Sequence, residues 1–308
     1  MKYKKEKIDR LFQVAHLYYI EDRTQAEIAE RLQVSRPLVS RMLREARQLG
    51  IVEIRVHPLG CDQDALMKQL SQRYGIQGGA LLAEADEEIM NRNLVRKILE
   101  YIKEEQVRTL GIGWGDTIGM MAELLETVPP LHTSVHTVCP LLGNSNGSIR
   151  RYHTDENVRI IAESIGAYPK FLHMPVLPVN QQERRLWMET NQYRTVSTLW
   201  ENMDMAIIGI HETNAAQDVS YPSFDGRTMG YMAAYQFDRD GTFFVPKEDR
   251  FIHIPLESLK KCRKIVGVCT SDVAVDTLAA ALKTGLLTHI FASEEQITAV
   301  LSSGSHIS

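Results

Sequence analysis

The chain has 308 residues, 44% apolar and 24% charged, proportions that exclude wholesale disorder and suit two globular domains. The net charge of -4 is uneven: residues 1–56 hold 12 Lys+Arg against 8 Asp+Glu, and the remainder holds 23 against 31, so a basic head precedes an acidic body. Met1–Arg10 is charged where a signal peptide would be apolar, and no apolar run reaches the ~18 residues of a membrane span.

In chain order, Leu11, Phe12, Val14, Ala15, Leu17, Tyr18 and Tyr19 recur at helical spacing. Thr24 and Glu27 form a capping-box pair opening a second helix over about Gln25–Leu32. Ser35 stands as the N-cap of a third helix running to about Gln48, with Pro37 in its first turn and Gly50 just past its end. Ile28, Ala29, Leu32, Val34, Val39 and Met42 supply the packing set of two short helices joined by a tight turn. Gln33 occupies the turn position that glycine often takes. The outer face of the third helix is left with Ser35, Arg36, Ser40, Arg41 and Arg44, hydrogen-bonding and cationic groups suited to base edges and phosphates in a major groove. Ile51–Val56 alternates as a strand, a wing or an exit strand. Residues 1–56 are therefore expected to be a DNA-binding helix-turn-helix domain and residues 57–64 a linker. Residues 65–308 then form a separate body, expected to build the oligomer and, as the family resemblance of the whole chain implies, to bind an effector. One reading head makes too few contacts for a specific complex, which implies a homodimer on a two-fold site in double-stranded DNA.

Within the body, strand patterns at Gly79–Leu82, Thr109–Ile112, Ser134–Leu141, Met205–Gly209, Ile265–Val268 and His289–Ala292 alternate with helical ones. The helical patterns include Thr117–Glu126, Asn157–Ile165 and Ala274–Thr284. The alternation predicts an α/β, Rossmann-like domain with an open, mostly parallel sheet. Thr109–Gly119 reads as strand, glycine-rich turn and helix start, a shape that gathers backbone N–H groups for an anion or a polyol. It is neither a Walker A loop nor a G-x-G-x-x-G fingerprint. Cys61, Cys139, Cys262 and Cys269 are too scattered for a zinc site or a disulfide framework. The sequence thus predicts no cofactor and no metal, and buried reduced thiols in a cytoplasmic protein.

Over nearly its whole length the chain resembles the SorC family of bacterial sugar-responsive transcription regulators. The resemblance rests on the helix-turn-helix, the Gly111–Thr117 turn, Pro140–Asn144, Asn157–Ala167, Leu172–Pro175, Ala206–Ile210, Gly230 with Phe237–Gly241, and Val266–Ala292. It implies an effector domain similar to sugar-phosphate isomerases and glucosamine-phosphate deaminases, binding a sugar or sugar phosphate at the carboxyl ends of its strands. Many members of the family are repressors released by ligand, and tetramers are common.

The departures concern phosphate. Phosphosugar-binding relatives tend to carry Gly-Asp where this chain has Gly230-Tyr231, and a Gly-Gly-x-x-Lys run where it reads Thr270–Ala274. Losing a lysine and gaining Asp272 favours a neutral sugar or polyol, or a different cation such as Arg227. The effector is accordingly expected against Gly113, Trp114, Gly115, Asp116 and Thr117, with Asn144, Tyr231, Thr270, Ser271 and Asp272 across from them. Trp114 stacks on a sugar face or packs into the core. The alternative is an isomerase or deaminase with an attached DNA-binding head. Its candidate groups would be His153, Asp155, His173, His211, Glu212 and Asp225, with Lys170 the nearest amine for a Schiff base. These form no compact acid–base set in the sequence, and the expectation is no enzyme activity.

Overall fold

The computed structural model describes residues 2–21, 23–52, 63–83, 86–145, 150–212, 226–244 and 249–303. Two units divide the chain, Met1–Cys61 and Asp62–Ser308. Of the expected linker, residues 57–62 lie outside the described residues, while Gln63 and Asp64 already begin a helix of the second unit.

The first unit contains α1 (Lys2–Tyr19), α2 (Gln25–Arg31) and α3 (Arg36–Gln48). Each contributes one apolar stripe to a shared core that includes Leu11, Val14, Ile28, Ala29, Val39, Leu43 and Ala46. Full burial of each large aliphatic side chain contributes about 1.5–3 kcal/mol, so the stripes fix how the helices cross. The Thr24 hydroxyl accepts the Glu27 N–H at 3.3 Å, and the Glu27 carboxylate accepts the Thr24 N–H at 2.8 Å. These bonds hold the Glu27 carboxyl below its ordinary range. Gln33 has φ 52°, so the tight turn keeps its left-handed residue without the glycine that would relieve it. No strand has begun by Val52, and residues 53–56 of the expected strand lie outside the described residues.

The second unit runs α4 (Gln63–Tyr74), β1 (Gly78–Leu82), α5 (Glu87–Glu104), β2 (Thr109–Ile112), α6 (Asp116–Leu125), β3 (Thr137–Pro140), α7 (Thr154–Ile165) and β4 (Tyr168–Pro169). It continues with α8 (Gln181–Met188), α9 (Asn191–Glu201), β5 (Met205–Gly209), β6 (His211–Glu212), β7 (Gly230–Met232), β8 (Tyr235–Phe237) and β9 (Phe243–Phe244). Last come α10 (Leu256–Lys261), β10 (Lys264–Val268), α11 (Val275–Lys283), β11 (His289–Ser293) and α12 (Glu294–Ser303).

Seven strands make a wholly parallel sheet in the order β1-β11-β10-β5-β2-β3-β4. β5 is buried along its length, because helices cover both faces of such a sheet. Its residues alternate between two cores. Met205 and Ile207 pack with Leu110, Ile112 and Val266 on one side. Ala206 and Ile208 pack with Trp200, Leu278 and Ala281 on the other. The antiparallel set β6-β7-β8-β9 forms a second sheet. From β2 the chain builds outward through β3 and β4, and from β5 it builds the opposite way through β10 and β11. The order therefore reverses between β2 and β5, where a crevice opens at the carboxyl ends.

Cys139, Cys262 and Cys269 are buried and free. Burial pushes the Cys139 thiol up to about 12 and the Cys262 thiol up to about 11, which leaves both unreactive. Cys61 lies outside the described residues.

Candidate functional site

The outer face of α3 carries the five residues expected to read DNA. Ser35, Arg36, Arg41 and Arg44 are exposed and Ser40 is half-buried. Ser35 has the extended backbone of an N-cap, but its side chain makes no capping bond, contrary to the sequence expectation. Arg36, Arg41 and Arg44 have no ion-pair partner among the described residues. Other cations of this unit do: Arg31 lies 3.6 Å from Glu21, and Lys7 pairs with Glu45. Among the described residues these three guanidinium groups are thus uncommitted, while Arg31 and Lys7 are paired. Arg36 also joins Tyr18, Tyr19, Arg23 and Gln25 around an open hollow of ≈ 680 Å³, a surface suited to a phosphate backbone.

In the second unit a cavity of ≈ 290 Å³ is lined by Asp116, Thr117, Ile210, His211, Glu212, Thr270, Asp272 and Val273. Asp116 and Thr117 follow β2, Ile210–Glu212 follow β5, and Thr270–Val273 follow β10, so the lining comes from the carboxyl ends at the reversal point. Asp116 is the first residue of α6, and its carboxylate accepts the Tyr152 hydroxyl at 2.6 Å. Glu212 turns its carboxylate onto the Ala274 N–H at the start of α11.

His211 forms the buried floor. Its Nε2 lies 3.1 Å from the Trp114 carbonyl, so that nitrogen carries the proton and donates. Tyr231 stacks on the ring with centroids 5.0 Å apart and planes 23° from parallel. Burial holds the imidazole below the usual histidine range, so it is neutral at pH 7. Two glycines make room for it. A Cβ on Gly209 would stand 2.4 Å from His211 Nε2, and one on Gly115 would stand 2.7 Å away. Gly115 also has φ +93°, a backbone state that favours glycine.

Of the ten expected effector residues, the cavity brings together Asp116, Thr117, Thr270 and Asp272. Gly113 donates its N–H to the Ile207 carbonyl at 2.8 Å, continuing the sheet, so it offers no donor to a ligand. Trp114 is buried against Tyr152 in an edge contact, and Tyr231 is buried behind His211. Neither ring lines the cavity. Gly115 shapes it from behind, and Ser271 is exposed beside it. Asn144 is engaged with Asp155, donating from Nδ2 to its carboxylate at 2.7 Å and accepting its N–H at 2.8 Å. The same Asp155 carboxylate accepts the N–H groups of Leu172 and His173, so Asn144 and Asp155 tie loops together.

Arg227 lies over the Phe244 ring at 5.0 Å and is not among the lining residues. Asp225 lies outside the described residues. Ile210, His211, Glu212 and Val273 complete the cavity beyond the expected set. His211 and Glu212 were visible only as polar residues behind an apolar strand, a signal shared with many loops. Among the described residues, no group of three or more His, Cys, Asp or Glu is arranged to hold a metal, and no helix is long and apolar enough to cross a membrane.

A model of the Sugar-bind family, a sugar-binding domain, matches residues 61–302, and a MarR-family model matches residues 12–60. The chain is 24% identical over 294 residues to the sorbitol operon regulator of Klebsiella pneumoniae, covering 88% of this chain and 91% of that protein. It is 23% identical over 315 residues to transcriptional regulator LsrR of Escherichia coli strain K12, covering 96% and 95%. Among solved structures, full-length sorbitol operon regulator SorC from Klebsiella pneumoniae matches with a TM-score of 0.75 and 22% identity, over 96% of this chain and 98% of that one.

Proposed function

The chain belongs to the SorC family of sugar-responsive transcription regulators, and we propose that it represses a carbohydrate-use operon, with operator binding set by a carbohydrate in the cavity at the β2–β5 reversal. The family joins a DNA-binding helix-turn-helix to a sugar-binding domain and consists of transcription regulators. The observation that carries the rest is the cavity itself. It lies where open parallel sheets collect ligands, and it is lined by Thr117, Thr270 and carboxylates that can accept from sugar hydroxyls. On α3, Arg36 and Arg41 are assigned to base edges, Arg44 to phosphate, and Ser35 and Ser40 to supporting contacts.

In this reading the protein works in the cytoplasm without enzyme activity. His211, the imidazole at the cavity, is committed to the Trp114 carbonyl and is poorly placed to exchange protons. Two heads on a two-fold site call for a homodimer or homotetramer. The test is fluorescence anisotropy on a duplex selected from a random pool, with a panel of sugars, polyols and sugar phosphates added in turn. One compound is expected both to raise the melting temperature and to release the duplex. Turnover of a compound with no change in DNA binding would instead favour the isomerase or deaminase alternative.

A further inference from the structure

We infer that the carbohydrate this cavity accepts carries a protonated amine and no phosphate, as an amino sugar or amino polyol does. The inference rests on the cavity being the effector site. Three of its lining residues, Asp116, Glu212 and Asp272, are carboxylates, and none of the described lining residues is Lys or Arg.

In α/β folds a phosphate settles at a helix N-terminus, where N–H groups converge and the helix dipole is positive. Two helices begin at this cavity, and a carboxylate of the chain's own stands at each start. Asp116 is the first residue of α6, and Glu212 accepts the Ala274 N–H that opens α11. A phosphate at the start of α11 would have to displace Glu212, and one at the start of α6 would lie against the Asp116 carboxylate. His211 cannot offset that charge, because burial keeps its ring neutral and its N–H is spent on Trp114.

Asp272 is the group still seeking a donor. It is exposed at the cavity and has no hydrogen-bond or ion-pair partner among the described residues. An ammonium group brings three donors and a positive charge, and charge-assisted bonds of this kind are about twice as strong as neutral ones. The hydroxyls of Thr117 and Thr270 remain for the ligand's own hydroxyls. Neutral sugars can donate hydroxyls to the carboxylates as well, but they bring no positive charge to the three of them.

The full chain would be titrated calorimetrically with glucose and glucosamine, sorbitol and 1-amino-1-deoxysorbitol, and glucosamine 6-phosphate. At least one amine should bind about tenfold tighter than its hydroxyl counterpart, roughly 1.4 kcal/mol. Asp272→Asn should erase most of that preference, and the 6-phosphate should bind more weakly than glucosamine. A hydroxyl compound binding as tightly as its amine, a tighter 6-phosphate, or no response to any amine would each overturn the inference. The first two would leave the cavity reading intact, provided Asp272→Asn and Thr117→Val change the binding. Binding indifferent to both substitutions would overturn the cavity reading itself.

Discussion

Replacing Gly209 with alanine tests the architecture of the cavity through a single methyl group. The added Cβ would stand 2.4 Å from His211 Nε2, 2.8 Å from Cε1 and 3.1 Å from the Thr117 Cβ. Comfortable carbon contacts begin near ~3.5 Å, so the imidazole has to retreat by about 1 Å. It has nowhere to go, since Tyr231 lies against one face and Nε2 is held by the Trp114 carbonyl. Losing that hydrogen bond costs about 1 kcal/mol, and overpacking adds about 1–3 kcal/mol. Together the second unit should lose roughly 2–4 kcal/mol, a drop of several degrees in melting temperature for a domain of this size. The displaced ring also intrudes on the cavity, so the ligand concentration that releases DNA should rise while DNA binding without ligand is unchanged. Gly113→Ala is the contrast: its Cβ would meet the Ile207 carbonyl oxygen at 3.2 Å, which a few tenths of an ångström relieve. A Gly209→Ala protein that melts and responds like the native one would refute the placement of His211.

On α3, Arg36→Ala or Arg41→Ala should cost about 1–3 kcal/mol on the selected duplex and relax base preference, whereas Arg44→Ala should weaken all duplexes alike and flatten the salt dependence. Equal losses on selected and random DNA for all three would overturn those roles. Gln33→Gly should stabilise the first unit by about 1 kcal/mol, because the left-handed turn then carries no side-chain penalty; an unchanged or lower denaturation midpoint argues against the strained turn. Burial holds both His211 and His289 below the ordinary histidine range. The unfolded chain therefore takes up protons that the folded chain refuses, and stability present in full above about pH 6.5 should fall as pH drops toward 5. A melting temperature that rises over that interval contradicts the sign, and His289→Gln should flatten the decline. Sedimentation of the full chain should show a dimer or tetramer, and a monomer at micromolar concentration would remove the basis for two-headed operator binding.

Six of the seven strands of the parallel sheet were legible, because they are largely apolar runs, whereas β4 is only two residues long and was missed. Thr109–Ile112 and Met205–Gly209 are observed with the expected bounds, since burial on both faces leaves nothing polar to blur the ends. The antiparallel sheet was not legible. β6 and β9 are two residues long and β7 and β8 are three, too short for a period-two pattern to emerge from one sequence. That gap explains half of what sequence reading missed at the site, because His211 and Glu212 constitute β6. Asn144 shows the opposite error, and Trp114 takes the second of its two expected places, in the core. Both follow strands and have side chains suited to sugars, yet Asn144 is taken by Asp155 across 11 residues of chain and Trp114 is drawn into the core. Which polar group after a strand faces a ligand depends on partners far along the chain.

The passage from β5 to β6 has a wider consequence. Ile210 alone separates a strand of the large sheet from a strand of the small one, and its N–H is fastened to the Val268 carbonyl at 3.0 Å. Part of the cavity lining thus belongs to the large parallel sheet and its helices, and part to a short antiparallel patch with its own turns. Most of the patch shares a buried core with the seven-stranded sheet, but Glu212 is only half-buried and lines the cavity, so a substitution there changes the lining and spares that core. An architecture divided in this way can acquire a new chemical vocabulary by revising a few residues around a single peptide junction.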